Sequence, residues 1–275
     1  MMNCVELLEG KSNRERRNII IELLEQKGFP YKTEKYFLNR DNIIITLGEA
    51  GKEILIVTHY DAVLFSPGAN DNASTIAVIF DVLEKLKVYK PENKLRFIIF
   101  GDEEFGCLGS YAYVRKHGVK NILAVYNMEL VGMGDMIAVW PITKEVKAGR
   151  AVTVLENTIT KLGYYFEEAG HLPGFYGDYK PFREYGCSES ICITVIPTEQ
   201  KDQIREFAES SVFLLPFRLF LGIKRPRFFE HYHSRKDQSK YLNESALEMT
   251  SEIIYQTVIS IDKGIESSSK EKTPV

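Results

Sequence analysis

Apolar positions recur at the three- and four-residue spacing of an amphipathic helix in several segments of this chain. The first segment begins with Ser12 and Glu15, which form a Ser-x-x-Glu capping box, and Gly28 follows its last turn. The predicted helices are Asn13–Lys27, Asp71–Lys87, Leu108–His117, Ala151–Leu162 and Asn243–Asp262.

Runs rich in Ile and Val, bounded by Gly, Asn or Asp, predict strands between these helices. They are Tyr36–Leu38, Asn42–Leu47, Glu53–Thr58, Lys94–Phe100, Ile122–Glu129, Tyr164–Glu167 and Ser190–Ile196. The segment Gly48–Gly51 has the composition of a hairpin loop and predicts that the second and third strands are neighbours. Strands that alternate with helices predict an α/β fold, in which helices flank both faces of one mixed central β-sheet.

We expect residues 1–275 to form a single domain, with its core at about 13–263 and a flexible tail at 264–275. The hydrophobic content of 44% is enough for a sizeable core. Phe and Leu are dense between Phe207 and Tyr232, which is typical of a core helix with a loop. The alternative is that 198–230 forms a lid, a pocket wall or a subunit interface, and a homo-oligomer is compatible with this.

Charge and hydropathy narrow the range of partners and locations. The chain has 35 Lys and Arg against 38 Asp and Glu, a net charge of −3, which gives no electrostatic case for binding nucleic acid or an anionic membrane. The longest apolar stretch, Val212–Ile223, is far shorter than the ~20 residues that span a bilayer. The N-terminus lacks the apolar core of a secretion signal, and no Cys-x-x-Cys pair occurs. These features predict a cytoplasmic protein with reduced thiols.

Histidine and acidic residues follow the ends of predicted strands, where α/β folds place functional groups. His59 and Asp61 come directly after the apolar residues Ile54–Val57. The ring of His59 could bind a metal ion, with Asp61 contacting the metal or a neighbouring ligand. By itself, such a pair is more often a strand-end histidine beside a polar residue.

Two acidic clusters follow. Asp71 lies in a turn-rich loop that leads into a helix, so it is either a helix cap or a carboxylate whose two oxygens bridge two cations. Glu103 and Glu104 follow the strand Lys94–Phe100. One of these two carboxylates could bind metal while the other acts as a general base for water. An acidic run of this kind is otherwise a solvated surface.

The remaining candidates are weaker when taken singly. Glu129 lies where the apolar run Ile122–Tyr126 ends, and His231 and His233 lie in a loop before the last helix. Each of these positions is also typical of an ordinary surface. Together with the earlier clusters, however, they supply enough nitrogen and oxygen ligands for two zinc ions in one α/β chain.

These motifs resemble those of the co-catalytic di-zinc exopeptidases of metallopeptidase family 28. The motifs occur in the same order as in that family, and over residues 53–133 they also have the same spacing. The matching segments read HYD, GANDNAST, EEFGCLGS, ELVG and HSRKD. The resemblance implies a zinc-exopeptidase catalytic domain of the phosphorylase/hydrolase-like type. It also implies that His59 and Glu129 bind one zinc, Glu104 and His233 bind the other, Asp71 bridges both, Glu103 is the general base and Asp61 orients His59.

Three positions depart from the family pattern. Thr75 stands where the family has a glycine, and Glu129 stands where Asp is commoner. Within Gly177–Phe182, Tyr179 stands where His is common, so the substrate contacts of that segment are not carried over.

The resemblance implies hydrolysis of peptide bonds, most specifically removal of N-terminal residues from small peptides, with two zinc ions per chain that cobalt or manganese could replace. A carboxypeptidase or an N-acyl amino-acid hydrolase is an alternative, and Lys180 or Arg183 could then bind a substrate carboxylate. A glutaminyl cyclase-like transferase and a non-catalytic binding protein on the same fold are two further alternatives.

Overall fold

The computed structural model describes residues 1–169, 176–209, 226 and 228–264, which build one eight-stranded mixed sheet. The strands are β1 Tyr31–Phe37, β2 Arg40–Leu47, β3 Glu53–His59, β4 Lys94–Phe100, β5 Ile122–Met128, β6 Met136–Trp140, β7 Phe166–Glu168 and β8 Ser190–Ile196. Their order across the sheet is β1-β2-β4-β3-β5-β8-β6-β7. The central strands β4, β3, β5 and β8 are parallel, whereas β2 and β6 pair with them antiparallel. The predicted mixed α/β sheet is therefore confirmed.

Helices cover both faces of this sheet, as the sequence predicts. Those of the described residues are α1 Met2–Leu8, α2 Asn13–Lys27, α3 Ser74–Lys85, α4 Leu108–His117, α5 Lys144–Lys147, α6 Arg150–Lys161, α7 Tyr179–Glu184, α8 Lys201–Glu209, α9 Phe228–His231 and α10 Glu244–Asp262. Ile54 and Ile56 of β3 pack with α1, α2, α3, α6 and α10, while Leu55 and Val57 pack on the other face with α4 and α7. Because side chains alternate along a strand, the fully apolar β3 serves two cores.

The start and end of α2 follow its sequence. The hydroxyl of Ser12 accepts a hydrogen bond from the backbone N–H of Glu15, and the Glu15 carboxylate accepts one from the backbone N–H of Ser12 at 2.9 Å. Gly28 ends the helix at φ +72°, a conformation that glycine adopts without steric strain. The predicted capping box and helix bounds are confirmed.

The predicted hairpin between β2 and β3 is wrong, because β4 lies between these two strands. The link from Leu47 to Glu53 instead passes over the start of β4. A Cβ on Gly48 would lie 2.6 Å from the carbonyl oxygen of Asn93, and one on Gly51 would lie 2.8 Å from the Asn93 side chain. The two glycines therefore permit a close crossing over β4, which has the same local signature as a hairpin turn.

Several element bounds also differ from the sequence-based expectations. The first strand begins at Tyr31 rather than Tyr36, and the regular part of α3 begins at Ser74 rather than Asp71. No element was predicted for α1, β6, α5, α7 or α8. Val5 and Leu8 of α1 are fully buried, so the core begins before residue 13. Of the segment 198–230, expected to be a core helix with a loop or alternatively a lid or interface, residues 210–225 and 227 lie outside the described residues, as do residues 265–275 of the predicted tail.

No helix among the described residues combines the length and apolar character needed to cross a membrane. The sequence-based expectation of a cytoplasmic location remains a prediction.

A buried arginine joins the N-terminal helices to the loop that follows β3. Arg16 is fully buried, and its guanidinium donates to four backbone carbonyls: those of Leu8, Tyr60, Pro67 and Gly68. These carbonyls belong to the end of α1 and to the two ends of the loop 60–68 that precedes Asp71. One side chain thus fixes the path of the backbone into the segment Ala69–Ala73, which contains Asp71.

We expect Arg16→Met to lower the free energy of unfolding by about 3 kcal/mol, because it leaves buried carbonyls without donors. Chemical denaturation measures this change. Arg14→Met on the exposed side of the same helix is the control, and it should change stability by no more than about 0.5 kcal/mol. Equal effects of the two substitutions would contradict a structural role for the buried guanidinium.

Candidate active site

Three parallel strands deliver acidic and imidazole groups to one edge of the sheet. In the register of the sheet, His59 at the end of β3 lies opposite Phe100 of β4, and Val57 lies opposite Asn127 of β5. Glu103 and Glu104 therefore follow β4 on one side of His59, and Glu129 follows β5 on the other. The carboxyl ends of neighbouring parallel strands meet at the same edge, which explains this convergence.

The first group of possible metal ligands surrounds the ring of His59. Its Nε2 atom lies 3.2 Å from Oε2 of Glu129 and 3.4 Å from Oδ1 of Asp71. All three side chains are buried. One imidazole and two carboxylates can together hold a metal ion here.

The second group surrounds His233, in the loop after α9. Its Nε2 atom lies 2.9 Å from Oε2 of Glu104 and 3.3 Å from Oδ2 of Asp71. These three residues can also hold a metal ion. Asp71 belongs to both groups through different oxygens, which is the arrangement that a bridging carboxylate requires. His231 instead directs Nδ1 to the backbone carbonyl of Lys236 at 2.8 Å and belongs to neither group.

The backbone around Asp71 is shaped by side chains from distant parts of the chain. The Asp237 carboxylate accepts hydrogen bonds from the backbone N–H groups of Asn70 at 2.7 Å and Asp71 at 3.1 Å. The Asn72 amide donates to Glu129 at 2.5 Å. Residues Ala69–Ala73 leave regular helical geometry, and the peptide bond between Asp71 and Asn72 is cis. Sequence reasoning assigned no hydrogen bond to Asn72 or Asp237.

Asp61 connects His59 to the loop after β4. Its carboxylate accepts hydrogen bonds from the backbone N–H groups of Glu103 and Glu104, each at 3.1 Å. Nδ1 of His59 lies 3.0 Å from the backbone carbonyl of Asp61 and 3.4 Å from its Oδ1. Asp61 thus sets the position of the imidazole through its carbonyl and carboxylate, and that of both glutamates through its carboxylate. Oε2 of Glu103 lies 3.8 Å from Nε2 of His59, and Glu103 belongs to neither ligand group.

The cluster concentrates negative charge in a buried volume, and its pKa values shift accordingly. Burial, with the neighbouring Asp71 carboxylate, raises the pKa of Glu104 to about 7. Burial also raises the pKa of Glu103 well above its usual range, against the lowering effect of His59. Partial burial lowers the pKa of His233, but Asp71 and Glu104 outweigh that effect and raise it to about 9. Bound protons or cations must therefore neutralise part of the negative charge of these carboxylates.

The family model for peptidase family M28 matches residues 42–258, which is most of the chain and includes all the residues of both ligand groups. The chain belongs to peptidase family M28. The resemblance that the motifs indicate is therefore confirmed.

Individual similar proteins match this chain over part of their length. Aminopeptidase YwaD of Bacillus subtilis (strain 168) is 32% identical over 170 residues, which is 58% of this chain and 36% of that protein. A solved zinc aminopeptidase from Bacillus subtilis has a TM-score of 0.61 and 22% identity, and the match covers 84% of this chain and 52% of that one. This M28 chain thus spans about a third to a half of the length of these relatives.

A third similar structure has nearly the same extent as this chain. The Porphyromonas gingivalis glutaminyl cyclase has a TM-score of 0.72 and 17% identity, over 96% of this chain and 97% of that one. At these identities the structural matches establish the shared α/β fold.

The M28 site contains buried oxygens that suit a cation. Oε1 of Glu104, Oδ1 of Asn127 and Oδ2 of Asp178 are buried without a hydrogen-bond partner among the described residues. Each ligand group offers one imidazole nitrogen and carboxylate oxygens, which zinc accepts. The residues present therefore fit metal ions at both groups.

Asp178 is a buried residue beside this cluster that sequence reasoning did not single out. It is completely buried, and the hydroxyl of Ser110 donates to its Oδ1 at 2.6 Å. Burial raises the pKa of Asp178 well above its usual range, against the lowering effect of His59. Its position inside the family-like segment Gly177–Phe182 was the available signal.

Gly177 lies beside Glu129, to which a Cβ on Gly177 would come within 3.3 Å, whereas three side chains in or next to the segment contact other groups. Tyr179 is buried with its ring edge-on to Trp140, at 5.3 Å between centroids. Lys180 lies over the ring of Tyr176, and Arg183 donates to the backbone carbonyl of Pro141 at 3.2 Å. Within the part of the chain that the structure describes, neither Lys180 nor Arg183 makes an ion pair with the two ligand groups.

We expect zinc in excess to raise the melting temperature of the metal-free protein by about 5–10 °C, as ligand binding to the folded state alone requires. Asp71→Asn should remove most of this rise, because Asp71 belongs to both ligand groups. The rise should be larger at pH 8 than at pH 6, since zinc must displace protons from Glu104 and His233.

Differential scanning calorimetry with and without a chelator measures the rise. Asp202→Asn is the control, since the Asp202 side chain is 93% exposed and remote in the chain from the ligand groups. A full zinc-induced rise in Asp71→Asn would show that the ligand assignment is wrong.

Proposed function

We propose that this M28 chain is a zinc-dependent aminopeptidase that binds two zinc ions per chain and removes N-terminal residues from small peptides. The observation that carries the proposal is the position of Asp71, whose two oxygens face two separate histidine–glutamate pairs. Family membership and the names of the similar aminopeptidases support it.

His59 with Glu129 would hold one zinc ion, and His233 with Glu104 would hold the other, with Asp71 shared. When bound, such ions lower the pKa of water and polarise a substrate carbonyl. Asp61 would keep His59 and the glutamate loop in place, because it already accepts hydrogen bonds from the backbone of that loop. Cobalt or manganese could occupy the same nitrogen and oxygen ligands.

Glu103 is the carboxylate next to His59 that belongs to neither ligand group, so it is available for proton transfer. Its side chain is 11% exposed, and burial raises its pKa above the usual range, which makes the carboxylate a stronger proton acceptor. Glu103 would take a proton from the attacking water and return it to the amine that leaves. Its place beside His59, outside both ligand groups, allows this role without competition from metal binding.

The deciding experiment measures metal content and substrate class on the same preparation. We expect about two zinc ions per chain and hydrolysis of aminoacyl substrates with a free amine. Cleavage confined to N-acylated substrates would instead indicate an acyl-amino-acid hydrolase, and cleavage confined to C-terminal residues would indicate a carboxypeptidase.

A glutaminyl cyclase-like transferase is the second candidate, because that structure matches this chain over nearly its whole length. The same preparation tests it with a peptide that begins with glutamine. Cyclisation of that peptide, with one metal ion per chain and no release of amino acids, would replace the aminopeptidase proposal.

We expect Glu103→Gln to retain its zinc while kcat falls by about 10²–10⁴-fold, because the amide cannot accept the proton. Steady-state kinetics and metal analysis of the same sample measure both quantities. Glu22→Gln, at an exposed position of α2, is the control and should match the wild type in both. Full activity of Glu103→Gln would show that Glu103 is not the general base.

A further inference from the structure

The buried thiol of Cys107 lies against the carboxylate assigned as the base. Its Sγ atom is 3.6 Å from Oε1 of Glu103, within hydrogen-bond range for sulfur, and Cys107 is only 3% exposed. The other oxygen of the same carboxylate, Oε2, is the one near His59. The two oxygens of Glu103 therefore have different neighbours, a thiol on one side and the ligand cluster on the other.

The backbone holds Cys107 firmly in this position. Its N–H donates to the carbonyl of Glu103 at 2.8 Å, which closes the turn after the glutamates. Its own carbonyl accepts from the N–H of Tyr111 at 2.9 Å and from the hydroxyl of Ser110 at 3.1 Å. The position of the Cys107 Cα, and with it the distance over which the thiol can reach Glu103, is therefore fixed by the main chain.

Cysteine occupies a backbone conformation that favours glycine. Cys107 has φ +58° and lies directly before α4, in the left-handed region that is sterically unfavourable for residues with a Cβ. On backbone grounds alone, glycine would be more stable at this position. The contact between the thiol and Glu103 is an interaction that offsets this strain.

We propose that Cys107 is a positioning residue for Glu103. The S–H of Cys107 donates to Oε1 of Glu103 and thereby keeps Oε2 of Glu103 directed at the ligand cluster. The base role of Glu103 comes from the proposed function, so this inference rests on it. A thiol is a weak donor, but a hydrogen bond to a carboxylate is stronger when it is buried.

The thiol itself is unsuited to act as a nucleophile or a metal ligand. Burial raises its pKa well above the usual value, and the carboxylates of Asp178 and Glu103 add to that effect. It therefore stays protonated, as a donor must. Its sulfur is also absent from both groups of possible metal ligands.

Kinetics of two substitutions test the role. With zinc loaded, Cys107→Ala should lower kcat about tenfold, the effect of one lost hydrogen bond, with KM and metal content unchanged within about twofold. Cys107→Ser should recover most of kcat, because its hydroxyl is a donor. Cys187→Ala is the matched control, since Cys187 is also buried but packs in the apolar core with Phe100 and Phe182, and its kcat should equal that of the wild type.

Two kinetic outcomes would overturn the proposal. One is a kcat of Cys107→Ala within twofold of the wild type. The other is a kcat of Cys107→Ser as low as that of Cys107→Ala, since loss of packing rather than of a donor would then explain both.

An infrared measurement tests the contact without any activity. The S–H stretching band of Cys107 is isolated by subtracting the spectrum of Cys107→Ala from that of the wild type. In a Glu103→Gln background the same band should move to higher frequency, because a neutral amide is a weaker acceptor. The band isolated with Cys187→Ala should not move.

This readout separates the two proposals. A shifted band in a protein that hydrolyses none of the substrates would contradict the proposed function, and with it the catalytic purpose of the positioning, while the contact itself would still be shown. A band that stays in place in an active enzyme would overturn the positioning role of Cys107 and leave the aminopeptidase proposal intact.

Discussion

The Asp71 carboxylate lies between two imidazoles, and much of the surrounding structure serves to hold it there. Its two oxygens face His59 and His233, which come from opposite ends of the chain. Asp237 accepts hydrogen bonds from the consecutive backbone N–H groups of Asn70 and Asp71, and Arg16 fixes the loop that precedes them. These contacts hold the Asp71 backbone in place by protein groups alone, which orients a carboxylate for binding two cations.

Carboxylates are abundant around Asp71, and the fold limits their repulsion in two ways. Backbone N–H groups point at Asp61 and Asp237, so these two acidic side chains are held by hydrogen bonds from the main chain. The fully buried guanidinium of Arg16 adds a positive charge that interacts with Asp237, Asp71, Asp61 and Glu104. Metal ions would balance the charge that remains, which is why a dense acidic site can coexist with a stable apolar core.

The apolar side chains of the core and the polar side chains of the site meet at one edge of the sheet. Below it, β3 presents Ile54 and Ile56 to one core and Leu55 and Val57 to the other. Directly after these residues, His59 and the loops that follow β4 and β5 carry the polar groups. Parallel strands with both faces covered have no other place for functional side chains, so a rigid core supports a site made of short loops.

The sequence by itself determined many of the regular elements and the ligand candidates of the site. Capping residues, apolar periodicity and the order of the motifs predicted α2, most of the strands and the ligand candidates, because each of these signals is local. The tertiary structure decided what depends on distant contacts. Gly48 and Gly51 cross over β4, and His233 rather than His231 reaches Asp71. The side chains of Asn72, Asp237 and Cys107 likewise contact groups that only the folded chain brings close to them. A local pattern cannot specify which strand lies between two others, or which distant side chain meets a given carboxylate.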